Sequence, residues 1–328
     1  MDIYFEPNYC KLNEAVENGT AETFYYECEY GKAQNSFIKR EIPHLINGTQ
    51  YYDAITPYGY GGPIIIESSC RSKLIEAYSE AYVNFCAENR IVDEFVRFHP
   101  LAENVRDFEK LYNAEFNRYT AAIDLQDSDF YMVQFTSECR NRIKNSRKRG
   151  VSVEIDEDCK HLDDFIRLYY MTMDKNNASD YYYFDREYFN KLLDVNNCRV
   201  MLVNAYYEGE IIASVLYMIS AGFMHYHLSA NNPEHYKLAA NNLIVYASCE
   251  YGRAHGLKWL HLGGGLSSSA DDNLFRFKRG FARTDRNLKE FYIGKAVFLP
   301  SIYDRLCESA GADWRNEDGF FPAYRERH

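Results

Sequence analysis

Apolar residues recur along this chain in two rhythms. In RSKLIEAYSEAYVNFCAENR, residues Leu74, Ile75, Tyr78, Tyr82 and Phe85 fall at helical spacing and predict one buried helix face. Around it, NSFIKREI, YYDAI, GGPIII, VDEFVRFHP and YTAAIDL read as strands, so the first half is mixed α/β. The second half opens with DFYMVQFTSECRNRIKNSRKRG, predicted as one helix that grows basic toward its end and is capped by Gly150. VSVEI is a strand, and HLDDFIRLYYMTMDK carries Leu162, Phe165, Ile166, Tyr169 and Met173 on one face. RVMLVNAYYEGEIIASVLYMISAGFMHYHLSA then reads as three strands turning at EGE and SAG. A nearly all-apolar helix, NNLIVYASCEYGRAHG, is followed by the strand KWLHL, the loop GGGLSSSADD and the short helix NLFRFKRGF. Regular βαβ alternation is missing. The pattern predicts an α/β (α+β) fold, a mixed sheet flanked by helices, in place of a doubly wound sheet.

Composition adds limits. A chain of 328 residues suggests about two domains. No segment reaches the apolar length of a membrane span, and MDIYFEPNYCKLNE lacks the basic start and apolar run of a signal peptide, so a cytoplasmic protein is expected. Nine scattered cysteines without a CxxC pair read as free, mostly buried thiols. A net charge of −11 excludes general steering toward nucleic acid and requires any such partner to find a local basic patch. Thirty tyrosines suit a sugar- or peptide-binding surface and equally well a core.

The run GEIIASVLYM … MHYHLSANNPEHYKLAANNLIVYASCEYGRAHGLKWLHLGGG … DNLFRFKRGF resembles the second domain of the FemABX-like acyltransferases of the GNAT superfamily. The features that carry it are the EGE turn before Ile-Ile-Ala-Ser, the ANN helix start, GLKWLHLGGG and, above all, FKRGF from Phe277 to Phe281. Upstream, RNRIKNSRKRGVSVE is similar to the helix and strand that open that domain, and YYDAITPYGYGGP is similar to sequences of the same group. The resemblance spans roughly residues 51 to 293. It implies two tandem GNAT-like domains: an N-terminal one over 1–128, a C-terminal acyltransferase domain over 129–300, and a segment, 301–328, packing back on them. It further implies transfer of an acyl or aminoacyl group to an amine of a cell-wall precursor, peptide or saccharide. The donor in such proteins is acyl-CoA or, in the peptidoglycan-bridge enzymes, aminoacyl-tRNA, which makes tRNA a possible partner. Where CoA-binding members carry [RQ]-x-x-G-x-[GA], this chain reads YKLAANN, without glycine. The amides of that helix start, with Lys237, Asn241 and Asn242, are the expected contacts for donor phosphate. Two other readings stay open: a non-catalytic ligand-binding protein on a degenerate GNAT scaffold, and a CoA-dependent N-acetyltransferase of small molecules.

Acyl transfer to an amine needs a neutral amine, a polarised carbonyl and two reactants held together, and no covalent enzyme intermediate. No G-x-S-x-G elbow is present. Lys278, among Phe275, Phe277 and Phe281, is the leading candidate for holding developing negative charge, against the alternative of a lysine on a solvated helix face. Gly263, Gly264 and Gly265 would let substrate approach the backbone, or else form a tight loop that holds no ligand. Asp271 and Asp272 could anchor or deprotonate an amine, or simply cap a helix. The cluster Arg140, Arg142, Lys144, Arg147, Lys148, Arg149 could bind phosphate, with Arg147 and Lys148 the named substrate contacts, or be a solvated helix end. His227 is a candidate general base. His225, His227 and His261 lack a recognisable metal spacing, and no metal is expected. Pro57 with Gly59, Gly61 and Gly62 specifies a rigid turn from which Tyr58 and Tyr60 would project to hold an acceptor, or else pack inward.

Overall fold

The computed structural model describes residues 1–269, 271–312 and 319–326. In chain order the helices are α1 (Pro7–Leu12), α2 (Glu14–Glu17), α3 (Arg71–Glu88), α4 (Val105–Phe108), α5 (Phe130–Val133), α6 (Ser137–Lys148), α7 (Leu162–Lys175), α8 (Arg186–Leu193), α9 (Ala240–Ala254), α10 (Asn273–Arg279) and α11 (Pro300–Ala310). The strands are β1 (Thr20–Cys28), β2 (Gly31–Glu41), β3 (Tyr52–Ile55), β4 (Ile64–Ser68), β5 (Ile91–Arg97), β6 (Glu115–Asp124), β7 (Ser152–Asp156), β8 (Arg199–Tyr207), β9 (Glu210–Ser220), β10 (Phe223–Asn231), β11 (Trp259–Gly263) and β12 (Leu288–Val297). The chain divides into two compact units, one of Met1, residues 3–117 and 291–328, the other of Asp2 and residues 118–290. Among the described residues no helix is long and apolar enough to cross a membrane. The nine cysteines are free, and Cys10, Cys86, Cys139, Cys159, Cys249 and Cys307 are buried.

In the first unit the strands run in the order β1, β2, β3, β5, β12, with β4 also paired to β2. The pair β3 and β5 is parallel, and α3 makes the crossover between them. The helix buries Leu74, Tyr78, Tyr82 and Cys86, close to the face its spacing predicts. At the ends of β3 and β5 the seam stays closed. Thr56 N–H donates to Phe95 O, Gly61 N–H donates to Arg97 O, and the Arg97 guanidinium donates to the carbonyls of Thr56 and Pro57. The turn that follows is rigid. Gly59 has φ +98°, and a Cβ there would stand 2.4 Å from the Tyr4 ring. Asn104 Nδ2 donates to Gly61 O and Pro63 O.

The core of this unit holds a polar knot. Glu94 is fully buried, and its carboxylate accepts hydrogen bonds from Tyr82 OH at 2.9 Å, Tyr112 OH at 2.7 Å and Asn35 Nδ2 at 2.8 Å. Burial pushes this carboxyl up to about 7, against the three hydrogen bonds that favour its charged form. A second knot lies under the C-terminal residues. Tyr324 OH donates to Asp93 at 2.7 Å and to Asp53 at 3.2 Å, and Arg40 and Arg325 both pair with Asp53.

In the second unit the order is β6, β11, β10, β9, β8, β7. The expected three-strand meander is β8, β9 and β10. Its turns place Glu208 and Gly209, then Ala221 and Gly222, at positive φ, as tight two-residue hairpins require. Both faces of β9 are buried, which explains its continuous apolar run. Helix α9 buries Leu243, Ile244, Val245, Cys249 and Gly252, and a Cβ at Gly252 would lie 2.7 Å from Leu125 Cδ1, so the helix approaches closely because that residue is glycine.

Three local expectations change. The predicted single helix from Asp129 breaks into α5 and α6, because the Thr136 hydroxyl caps a new helix start by accepting from Cys139 N–H. Gly150 does follow the second piece, at φ +91°. Strand β1 and helix α8 were not predicted. The first is an edge strand whose TAETFYYEC lacks a clear alternation of burial, and the second is only eight residues long.

The knot at Glu94 generates a testable pH dependence. A carboxyl raised from 4.5 to about 7 on folding stabilises the folded state fully below 4.5, and that contribution is lost as pH rises through about 7. The loss is roughly 3 kcal/mol over this window. Urea unfolding at pH 5 and pH 7.5 should show the decline in the wild type, and Glu94→Gln should remove most of it; equal declines in both proteins would contradict the assignment.

Candidate active site

The site begins with an interruption in the second sheet. Strands β10 and β11 are parallel, but their pairing covers just Phe223 to His225 against Trp259 to His261. Beyond that point β10 continues to Asn231 bonded to β9, through a bulge between Tyr226 and Leu228. Strand β11 follows β6, through an irregularity between His261 and Gly263. A bulge adds twist and turns the strand that carries it. Beyond this point each of the two strands stays bonded to its other neighbour, which leaves a gap in the β10–β11 ladder at their C-terminal ends.

Lys278 lies at this gap. Its residue is 8% exposed, its Nζ donates to Gly264 O at 2.7 Å, and the Tyr226 ring centroid is 5.9 Å from Nζ. The side chain therefore touches the loop leaving β11 and the bulge of β10. An ammonium has three donors, and among the described residues the Gly264 carbonyl is the hydrogen-bond partner of one. Burial lowers the Lys278 ammonium to about 8, partly offset by the charge of Asp272. The solvated-face alternative for this lysine does not hold.

The three glycines have different tasks. Gly263 has φ +79°, a left-handed conformation that side chains disfavour. Gly264 supplies the carbonyl to Lys278, and Gly265 O accepts from Arg118 Nη1 at 3.0 Å. Asp272, not Asp271, caps α10, accepting from Phe275 N–H at 2.8 Å. Asp271 is exposed, and its own amide donates to Ser269 Oγ.

On the opposite face of α10 lies a cavity of about 360 Å³, within the range of small-molecule sites. Asn273, Arg276, Phe277 and Gly280 line it at helical spacing, together with Thr136, Cys139 and Arg142 from the start of α6 and Asn242 from the start of α9. Helix α9 begins without a side-chain cap; Ala239 takes the left-handed conformation, φ 53°, at its N-cap. Asn242 is 5% exposed and its Nδ2 meets Cys139 Sγ at 3.7 Å, while Asn241 is half-buried. Arg149 joins α6 to this region by donating to Lys237 O at 2.6 Å. Lys237, Arg147 and Lys148 are exposed, and the Arg147 guanidinium lies 4.7 Å from the Tyr246 ring centre.

The histidines are held by neighbouring groups. Tyr188 OH and His227 Nε2 are 3.1 Å apart, and burial, reinforced by His225, lowers the His227 imidazole to about 3. His227 is thus uncharged near neutral pH and is suited to hydrogen bonding more than to taking up a proton. His225 is bonded to Asp2 and His261 to Thr120. In the first unit Tyr58 and Tyr60 are half-buried; the Tyr58 carbonyl accepts from Tyr9 OH, and the Tyr60 ring packs edge-on to Tyr4, His99 and Phe291. Sequence reasoning missed Asn273 and Arg276 as cavity residues. They share a face with Phe277, a spacing visible in NLFRFKRG once the helix is known.

Residues 134–279 match the acetyltransferase (GNAT) domain family, a segment that includes Tyr226, Asn242, Gly264 and Lys278. No curated protein matches the chain. Among solved structures, FemX aligns with a TM-score of 0.67 at 13% identity, over 93% of this chain and 94% of its own. The C-terminal domain of a putative lysylphosphatidylglycerol synthetase from Agrobacterium fabrum aligns with a TM-score of 0.58 at 11% identity, over 92% of this chain and 90% of that one. L-PGS from Bacillus licheniformis gives 0.53 at 13% identity, over 90% and 93%. At these identities the likeness is one of fold, and it extends over both units. Residues 134–279 thus form an acetyltransferase (GNAT) domain, and over both units the fold is like that of FemX.

Proposed function

We propose that the second unit transfers an acyl or aminoacyl group from an activated donor to an amine of a cell-wall precursor, peptide or saccharide. The observation that carries this reading is the buried Lys278 ammonium, with one carbonyl partner, at the gap between β10 and β11. The neutral amine attacks the acyl carbon and a C–N bond forms. Negative charge develops on the carbonyl oxygen, where the free N–H donors of Lys278 can meet it. The bond to the leaving group then breaks. The leaving group departs with its electron pair and takes up the proton that the amine gives up. His227, neutral and bonded to Tyr188, orients groups at the bulge.

The GNAT match favours acyl-CoA as the donor, with aminoacyl-tRNA as the competing outcome. Its phosphates are assigned to the uncapped start of α9, with Lys237, Asn241 and Asn242, and to Arg147 and Lys148 at the end of α6. Ala239 already holds the left-handed turn that a glycine would otherwise supply. Two of the similar structures bear the names FemX and lysylphosphatidylglycerol synthetase, the second describing an aminoacylated product, and this supports the aminoacyl side of the reading. Tyr58 and Tyr60 are assigned to the acceptor, because the turn that carries them is fixed by Gly59 and Asn104.

Lys278→Ala should reduce kcat by about 100- to 1,000-fold while the protein stays folded by circular dichroism. The wild-type rate should fall as pH rises through about 8, because the ammonium is lost. A rate that climbs through that pH would assign Lys278 to a neutral, proton-accepting role. Arg147→Glu with Lys148→Glu should raise KM for acetyl-CoA or aminoacyl-tRNA, with the difference shrinking in high salt. An unchanged KM for both donors, measured by thiol release or by transfer of labelled amino acid, would remove these residues from donor binding.

A further inference from the structure

The loop between β11 and α10 is organised by one carboxylate. Asp272 Oδ2 accepts from Leu266 N–H and from Ser267 N–H, both at 3.0 Å, and Ser267 Oγ is 3.3 Å away. Its Oδ1 accepts from Phe275 N–H at 2.8 Å. One side chain thus joins the exit of the strand to the first turn of the helix that bears Lys278. Gly265 is the space this needs, since a Cβ there would stand 2.5 Å from Asp272 Oδ1. Burial alone would raise the Asp272 carboxyl, but the bonds from Phe275, Ser267 and Leu266 outweigh it and hold it below the usual carboxylate range. From the other side, Arg118 of β6 holds Gly265 O. Between these two attachments stands the Gly264 carbonyl, the hydrogen-bond acceptor of Lys278.

We propose that Asp272 is a positioning residue for acyl transfer: by tying Leu266 and Ser267 to the start of α10, it fixes the Gly264 carbonyl and therefore the Lys278 ammonium at the gap between β10 and β11. The proposal rests on the reading of Lys278 as the group that meets the developing oxyanion. A cap alone would serve the helix; the bonds to Leu266 and Ser267 serve the loop, and the loop serves the lysine. The groups that face the ammonium are Asp272 from its own helix cap, Tyr226 from β10 and the Gly264 carbonyl after β11, with Arg118 one carbonyl further on.

Geometry and charge can be separated with two variants of the full chain, Asp272→Ala and Asp272→Asn, each followed by steady-state transfer and by NMR titration of the Lys278 side chain, assigned with Lys278→Met. Asp272→Ala frees the loop. It should lower kcat by about 100-fold with KM for the donor within about twofold, and the Lys278 midpoint should rise from about 8 toward its ordinary 10.5 as the ammonium reaches water. Asp272→Asn removes the charge and keeps one acceptor oxygen, enough for the Leu266 and Ser267 amides or for the Phe275 amide but not for both. It should recover part of kcat, and the Lys278 midpoint should move below about 8. If both variants leave kcat and the lysine titration unchanged, Asp272 is a helix cap and the proposal is wrong, whatever happens to the melting temperature. If Lys278→Ala retains transfer while Asp272→Ala still moves the lysine titration, the catalytic reading of Lys278 fails and the positioning stands. If Lys278→Ala abolishes transfer and neither Asp272 variant moves the titration, the positioning alone fails.

Discussion

The site depends on a failure of two strands to stay together. A parallel pair persists while both members keep register, and β10 and β11 do so for three residues before each follows its other partner. The consequences are geometric. The ladder stops, a loop of glycines leaves β11 there, and α10 brings Lys278 to that loop.

Electrostatics follows from the same geometry. An ammonium inside a protein is costly unless it is paired, and among the described residues Lys278 has the Gly264 carbonyl as hydrogen-bond acceptor and the charge of Asp272 at the cap of its helix. Burial brings it down to about 8, so that it stays largely charged at neutral pH, and a buried ammonium interacts more strongly with a neighbouring charge than a solvated one does. The first unit treats its buried acids differently. Glu94 is surrounded by two tyrosines and an asparagine, and Asp53 by two arginines and a tyrosine, so neither is left facing open space.

Much of this was legible in the sequence where periodicity is strong. The meander of β8 to β10 with its EGE and SAG turns, the apolar α9, and the mixed-sheet class were all readable, because burial on both faces leaves an unbroken apolar run and tight hairpins require residues that tolerate positive φ. FKRGF pointed to Lys278, but its surroundings were not readable. That Gly264 would hold the ammonium, and that Asp272 and not Asp271 would organise the loop, depends on contacts between residues five to fourteen positions apart in a segment without periodicity. The cavity was hidden for a related reason: Thr136, Asn242 and Arg276 are brought together by three helix ends far apart in sequence.

A parallel pair bridged by one helix occurs in both units, as β3–α3–β5 and as β10–α9–β11. In the first, Arg97 laces the strand ends shut; in the second they diverge. One motif is thus used once as a sealed frame and once as an opened one. The closed frame fixes the Pro57–Gly62 turn through Arg97 and Asn104, whereas the open one has Lys278 beside it, bonded to the Gly264 carbonyl.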